Sequence, residues 1–274
     1  MRRERSFMMR DSFLYFRRMS VIVATDWHYV ISPQTAQVIY SQPLTPERMI
    51  DLALSVKPGA FREEDPDHDK ADRAFQSVRL LAYERDQGVC QGCGLQTQAQ
   101  SGRTGYFEIH HRDNDHHHND LENLVTVCPF CHGVFHFGLV HVQGRGYFVP
   151  ARGLTQRAVH RLLFLLWAES FLADPACLQA ASALRDWIRQ GTELMAQDPY
   201  RAWADGAAVA NALREALAQS DLARAQRLQA GLTQLVLIPN LEAPAYRNAL
   251  RHWSQVLAAR WTPGRVTRYL VEAA

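Results

Sequence analysis

Two Cys-x-x-Cys pairs, Cys90 with Cys93 and Cys128 with Cys131, constrain this 274-residue chain more than any other feature. A Cys-x-x-Cys turn presents both sulfurs to one point. Two such knuckles supply the tetrahedral thiolate cage that Zn²⁺ prefers, at about 2.3 Å per Zn–S bond. Gly92 and Gly94 around the first pair, and Pro129 in the second, supply the backbone freedom and restriction that tight knuckles need. Two redox-active or merely buried pairs are the competing reading, and the matched spacing favours a structural zinc. Thiolate ligation belongs in a reducing compartment, so a cytoplasmic location is expected. The fifth cysteine, Cys177, reads as an ordinary buried thiol on a helix.

Histidine is the second uneven residue. Of 12 in the chain, eight (His110, His111, His116, His117, His118, His132, His136 and His141) fall between and just beyond the knuckles, and that clustering marks a site. The background composition is plain. Apolar residues make up 47% and charged residues 21%, as in an ordinary globular protein. The net charge of +2 gives no global field toward nucleic acid or membrane, so polyanion binding has to be local. The longest apolar run, Leu162 to Ala168, falls far short of the roughly 20 residues a spanning helix needs, so no membrane insertion is expected. The basic start (Arg2, Arg3, Arg5) is followed by no apolar stretch of signal-peptide length.

The expected fold class is α+β, in three parts. Residues 1–70 hold an N-terminal extension and a small α/β segment. Residues 71–150 form a zinc-binding module, and residues 151–274 a mostly α-helical region. A hairpin is predicted over Val21 to Tyr40, and a helix from Thr45 and Pro46 through Met49, Ile50, Leu52 and Leu54 to Pro58. Glu63 to Asp72 reads as a charged connector, and Ala74 to Arg85 as a helix with Phe75, Val78, Leu81 and Ala82 inward. Strands are predicted at Tyr106 to His111 and across Val140 to Val149, the latter turning at Gly144 and Gly146. Beyond Pro150, helices are predicted around Val159 to Leu166, in a next segment whose apolar face is Leu184, Ile188 and Met195 with a cap signal at Asp174 and Pro175, and at about Ala202 to Ala218, Asp221 to Leu235 and Pro244 to Trp261, with a last short one from Thr262. The many Arg of this half read as a solvated helical face.

Between the knuckles run Phe107-Glu-Ile-His110-His111, a loop rich in Asp, Asn and His, Leu121-Glu-Asn123-Leu124, and Cys128-Pro-Phe-Cys131-His132-Gly-Val-Phe-His136. Residues four apart share a helical face, so His132 and His136 can converge with His110 on one divalent cation. His111 points the opposite way along the strand. These residues resemble the His-Asn-His (HNH) nuclease family, whose fold is two strands and a helix around a metal. The resemblance implies a ββα-metal module with His110, His132 and His136 as ligands of a catalytic Mg²⁺ or other divalent cation. It also implies His111 as general base and Asn123 as the brace of the loop that aims it. Arg112, directly after the base, is a candidate phosphate contact. The implied activity is phosphodiester hydrolysis of DNA: imidazole, with an ordinary pKa of about 6.5, takes a proton from water while the cation offsets charge on the scissile phosphate. A structural His doublet in a zinc module is the bland alternative.

A narrower pattern is also present. Lys57-Pro-Gly59, Arg85-Asp86, His110 to His116, Asn123 to His132 and the Pro150 to Gln156 element are together similar to the IcmJ/DotN proteins of type IVB secretion and conjugation systems. That resemblance implies a cytoplasmic, zinc-stabilised adaptor of the type IV coupling complex, with the helical C-terminal region meeting partner proteins. Two functions therefore stand side by side, a metal-dependent endonuclease and a non-catalytic adaptor.

Overall fold

The computed structural model describes residues 49–56, 68–98, 104–168 and 175–258. The fold is mixed α and β, mostly helical, with two small antiparallel sheets among the described residues. Helix α1 (His68–Arg85) runs into the first knuckle. Its inner stripe is Phe75, Val78 and Ala82, residues three and four apart, while Leu81 falls off the edge of that stripe and is 52% exposed. Strands β1 (Glu108–His111) and β2 (Leu124–Val127) pair with Glu108 opposite Val127 and His111 opposite Leu124. Helix α2 (Pro129–Phe135) then starts on the second knuckle. Cys128 is its N-cap in an extended conformation, its sulfur accepts from the Cys131 N–H, and Pro129 fills the first helical position.

A short helix α3 (Phe137–Val142) follows, and strand β3 (Gly146–Pro150) leads to helices α4 (Gln156–Ala168) and α5 (Pro175–Met195). Helices α6 (Gly206–Ala218) and α7 (Leu222–Leu232) are capped by Asp205 and Asp221, whose carboxylates accept from first-turn N–H groups. Strand β4 (Leu235–Pro239) pairs with β3 from Gly146 opposite Pro239 to Pro150 opposite Leu235. Helix α8 (Arg247–Ala258) closes the described chain. One core runs through all of this. Phe130 of α2 meets Tyr246 edge-on at 4.9 Å and Trp253 of α8 at 5.8 Å, while the Trp253 indole donates to the Gly105 carbonyl at 3.0 Å.

Several expectations are corrected. Residues 49–56 are not helical. Ile50 N–H bonds to the Gln91 carbonyl and Ser55 N–H to that of Val134, so backbone groups of this segment are satisfied by its neighbours instead of by a helix ladder. Helix α1 begins at His68, inside the expected connector. Phe137 to Val142 is helix and not the first half of a hairpin. Phe137 and Val140, three apart, are buried, and Gly138 lies so close to Ala210 of α6 that a Cβ would stand 2.5 Å from the Ala210 methyl. Strand β3 takes its partner from 85 residues away. The expected helix to Leu235 stops at Leu232, and Leu235 to Pro239 is a fully buried strand. A short continuous apolar run does not distinguish strand from helix by periodicity. The predicted Val21 to Tyr40 hairpin and the helix from Thr262 lie outside the described residues.

Candidate metal centre

Cys90, Cys93, Cys128 and Cys131 are all buried, none is in a disulfide, and their sulfurs lie within 4.8 Å of one another. A tetrahedral cage with bonds of about 2.3 Å has sulfur–sulfur edges of about 3.8 Å. Cys93 Sγ and Cys128 Sγ are 3.8 Å apart. Backbone N–H groups aim at the sulfurs: Cys128 N–H donates to Cys90 Sγ at 3.1 Å, and Cys93 N–H to the same atom at 3.5 Å. Burial pushes the Cys128 and Cys131 thiols well above their ordinary value. It acts on Cys90 too, but hydrogen bonds from Cys128, Cys131 and Cys93 outweigh it and hold that thiol well below. A cation is what would let all four ionise together, and the donor set fits zinc.

Gly92 serves the knuckle differently from the sequence expectation. Its backbone needs no positive φ, but a Cβ there would sit 2.7 Å from Cys131 Sγ, so the second knuckle fits only over a bare backbone. Gly94, at φ 84°, does use glycine's conformational freedom.

A second cluster is built from β1, α2 and the residue that ends α2. The donor nitrogens of His110, His132 and His136 lie within 4.8 Å of one another. Ring centroids are 4.7 Å apart for His132 and His136, 5.4 Å for His110 and His132, and 6.2 Å for His110 and His136. His136 is not within a helix: it is the joint between α2 and α3, with φ −130° and ψ 36°. His110 is buried and stacks flat on Phe135 at 4.2 Å. Burial, followed by the neighbouring His132 and His136, pushes His110 down to about 2, so its ring is neutral and offers a lone pair. Glu108 was not singled out from the sequence. It stands two residues before His110 on β1, hence on the same face, and its carboxylate bonds His132 Nδ1. Burial opposes ionisation of Glu108, but His132 and then Arg145 and His136 hold its pKa below the ordinary value.

His111 faces other neighbours. Its Nε2 is 2.9 Å from Asn119 Oδ1, its ring lies 5.1 Å from that of Phe75, and His116 is 5.5 Å away. Asn123 ties the loop between β1 and β2 together. Its Nδ2 donates to Asp113 Oδ1 at 2.8 Å and to the His118 carbonyl at 2.9 Å, and its Oδ1 accepts from the Asp113 N–H at 3.2 Å. Desolvation pulls the Asp113 carboxyl up, but the Asp115 N–H, the Asn123 amide and His118 together outweigh it and hold that carboxyl down to about 2. Arg112 is exposed at the start of this loop, its N–H on the Asn123 carbonyl.

The four-cysteine cluster also has neighbours that sequence spacing did not signal, because they come from α4. His160 is fully buried with Nδ1 3.3 Å from Cys131 Sγ, and desolvation pushes it down to about 4. Arg161 Nε donates to the Cys93 carbonyl at 3.1 Å.

The described residues thus define a protein built on a buried four-cysteine cluster compatible with zinc, together with a three-histidine group in which His110 is buried and His132 and His136 are half-buried. No family model matches the chain, so the His-Asn-His resemblance rests on its motif residues alone. Among curated proteins the chain is similar to the Type 4 apparatus protein DotN of Legionella pneumophila subsp. pneumophila, 32% identical over 125 residues. The match covers 44% of this chain and 54% of DotN, about half of that protein's length. None of the helices among the described residues is long and apolar enough to cross a membrane.

Proposed function

We propose that this chain is a zinc-stapled, protein-binding component of a type IV secretion or conjugation apparatus, working on the cytoplasmic side. The observation that carries the reading is the 125-residue similarity to the Type 4 apparatus protein DotN. The buried four-thiol cluster supports it, because a reduced, metal-holding core suits the cytoplasm. In this reading the metal module (residues 71–150) is a rigid platform, and the helical region (residues 151–274) meets partners of the coupling complex. The test is affinity purification of the full-length tagged protein from its own cells, with partners identified by mass spectrometry. Type IV apparatus proteins are expected at near-stoichiometric yield. Their absence from a well-expressed, zinc-loaded sample would sink the reading.

A second reading, an HNH-type endonuclease acting on DNA, is favoured by one observation: His110, His132 and His136 bring their donor nitrogens within 4.8 Å while His111 is held apart by Asn119. Three imidazoles suit a divalent transition-metal ion better than Mg²⁺, which prefers oxygen ligands, and when bound such an ion would offset charge on a scissile phosphate. With Nε2–H donated to Asn119 Oδ1, His111 keeps its lone pair on Nδ1, where it would take the proton of the attacking water. Asn123 would keep that loop in place, and exposed Arg112 would contact phosphate. Nicking of supercoiled plasmid with Mg²⁺ or Mn²⁺ decides. In this reading His111→Ala lowers the rate by about 10²- to 10⁴-fold. No metal-dependent cleavage by folded parent protein removes it.

A further inference from the structure

One stripe of α4 lies against the four-cysteine cluster. Gln156, Arg157, His160 and Arg161 stand at positions i, i+1, i+4 and i+5, on one side of the helix. Arg157 donates to the Gly92 carbonyl inside the first knuckle and, through Nη2, to the Ile50 carbonyl at 2.7 Å. Arg161 donates to Cys93. His160 has Nδ1 on Cys131 Sγ and Nε2 2.8 Å from Gln156 Nε2.

The Gln156 amide is held at both ends by one residue of β4. Its Oε1 accepts the Leu237 N–H at 2.8 Å, and its Nε2 donates to the Leu237 carbonyl at 2.8 Å. An amide nitrogen only donates, so His160 Nε2 must accept, and the ring proton therefore sits on Nδ1, aimed at the Cys131 sulfur. The chain of contacts is continuous: Leu237 backbone, Gln156, His160, Cys131. Four thiolates around one divalent cation also leave two negative charges in a buried place, and Arg157 and Arg161 bring two positive ones.

We propose that this stripe is an outer shell of the four-cysteine site, through which a bound thiophilic divalent cation locks α4 and β4 onto the knuckles, so that ion binding and the seating of the C-terminal part are one event. The proposal holds under either functional reading. The Nδ1–H bond stabilises the Cys131 thiolate and fixes its direction, as outer-shell partners of metal ligands do.

The test uses the full-length zinc-loaded protein. Hydrogen exchange is measured before and after chelation, and protection is expected to fall at residues 156–168 and 235–239 as well as at the knuckles. Loss confined to the knuckles would overturn the proposal. Independently, His160→Phe keeps the ring volume but removes the donor, and His160→Asn restores an N–H near the Nδ1 position. Zinc affinity, read by competition with a chromophoric chelator, is expected to drop about 10- to 100-fold in the Phe variant and to recover in the Asn variant. The thiolate-to-metal absorption of the cobalt-loaded forms is expected to shift and recover in parallel. Equal affinity in all three proteins would overturn the proposal while leaving zinc binding intact. Should His160→Phe fail to fold, the exchange experiment on the parent decides alone. A parent that binds no zinc would remove the metal reading itself.

Discussion

Asn123 is where a single side chain decides the shape of a loop. It satisfies the Asp113 N–H, the Asp113 carboxylate and the His118 carbonyl together, so Asn123→Ala removes the three hydrogen bonds by which one buried side chain holds the loop. The expected cost is about 1–3 kcal/mol, read as a lower urea midpoint; an unchanged midpoint would refute the brace. The same loop has a pH window. His118 bonds Asp113 at 2.5 Å, which raises its pKa above the ordinary 6.5, with Asp120 adding to the effect. A raised histidine contributes fully below 6.5 and is lost as pH rises through its folded value. Asp113, depressed from 3.8 to about 2, contributes fully above 3.8 and is lost as pH falls through about 2. The loop is therefore tightest between about pH 4 and 6.5. NMR titration of the His118 ring should give a midpoint above 6.5 that returns toward it in Asp113→Asn; identical midpoints would show the pair to be inert. Asn123 and the histidines were legible as residue types at telling spacings. Glu108 was equally legible through strand alternation, since i and i+2 share a face.

At the scale of elements, the end of α1 is fastened to β2 by Asp86. Its carboxylate is buried, takes the Arg85 guanidinium at 2.9 Å and accepts the Thr126 N–H at 2.8 Å, while Arg85 also reaches the Leu121 and Leu124 carbonyls. Asp86→Ala takes the carboxylate from the Arg85 guanidinium, which keeps its two carbonyls, and leaves the buried Thr126 N–H without its acceptor, so a loss of about 1–3 kcal/mol is expected. Thermal and urea denaturation of the zinc-loaded variant would check this, and a change under 1 kcal/mol would demote the clip to a surface pair. Helices α4 to α8 were legible because their apolar residues repeat at three and four. Strand β4 was not, since Leu235 to Ile238 has no polar residue to reveal a period. The first half of the expected Val140 to Val149 hairpin failed for another reason. Val140 is buried and Val142 exposed, and the helix there is chosen by packing against α6, where Gly138 lets the two backbones close.

On the scale of the molecule, the metal module and the helical region share one core. Trp253 is fully buried, edge-on to Phe107 at 5.7 Å and to Phe130, and anchored on Gly105, so Trp253→Ala is expected to cost about 3–5 kcal/mol. Differential scanning calorimetry should show a single transition moved down as a whole; a second transition with the first unmoved would mean that the two regions melt independently. The sequence by itself determined the chemistry available here. Two Cys-x-x-Cys knuckles and the histidines between and just beyond them are local patterns, set by spacings of two to four residues that backbone geometry turns into proximity. Only the tertiary structure decided what surrounds them: β4 beside β3, His160 and Arg161 against the cysteines, Trp253 beneath Phe130. Those contacts join residues from about 30 to just over 120 positions apart, where no period connects them and close packing of the core chooses the partner.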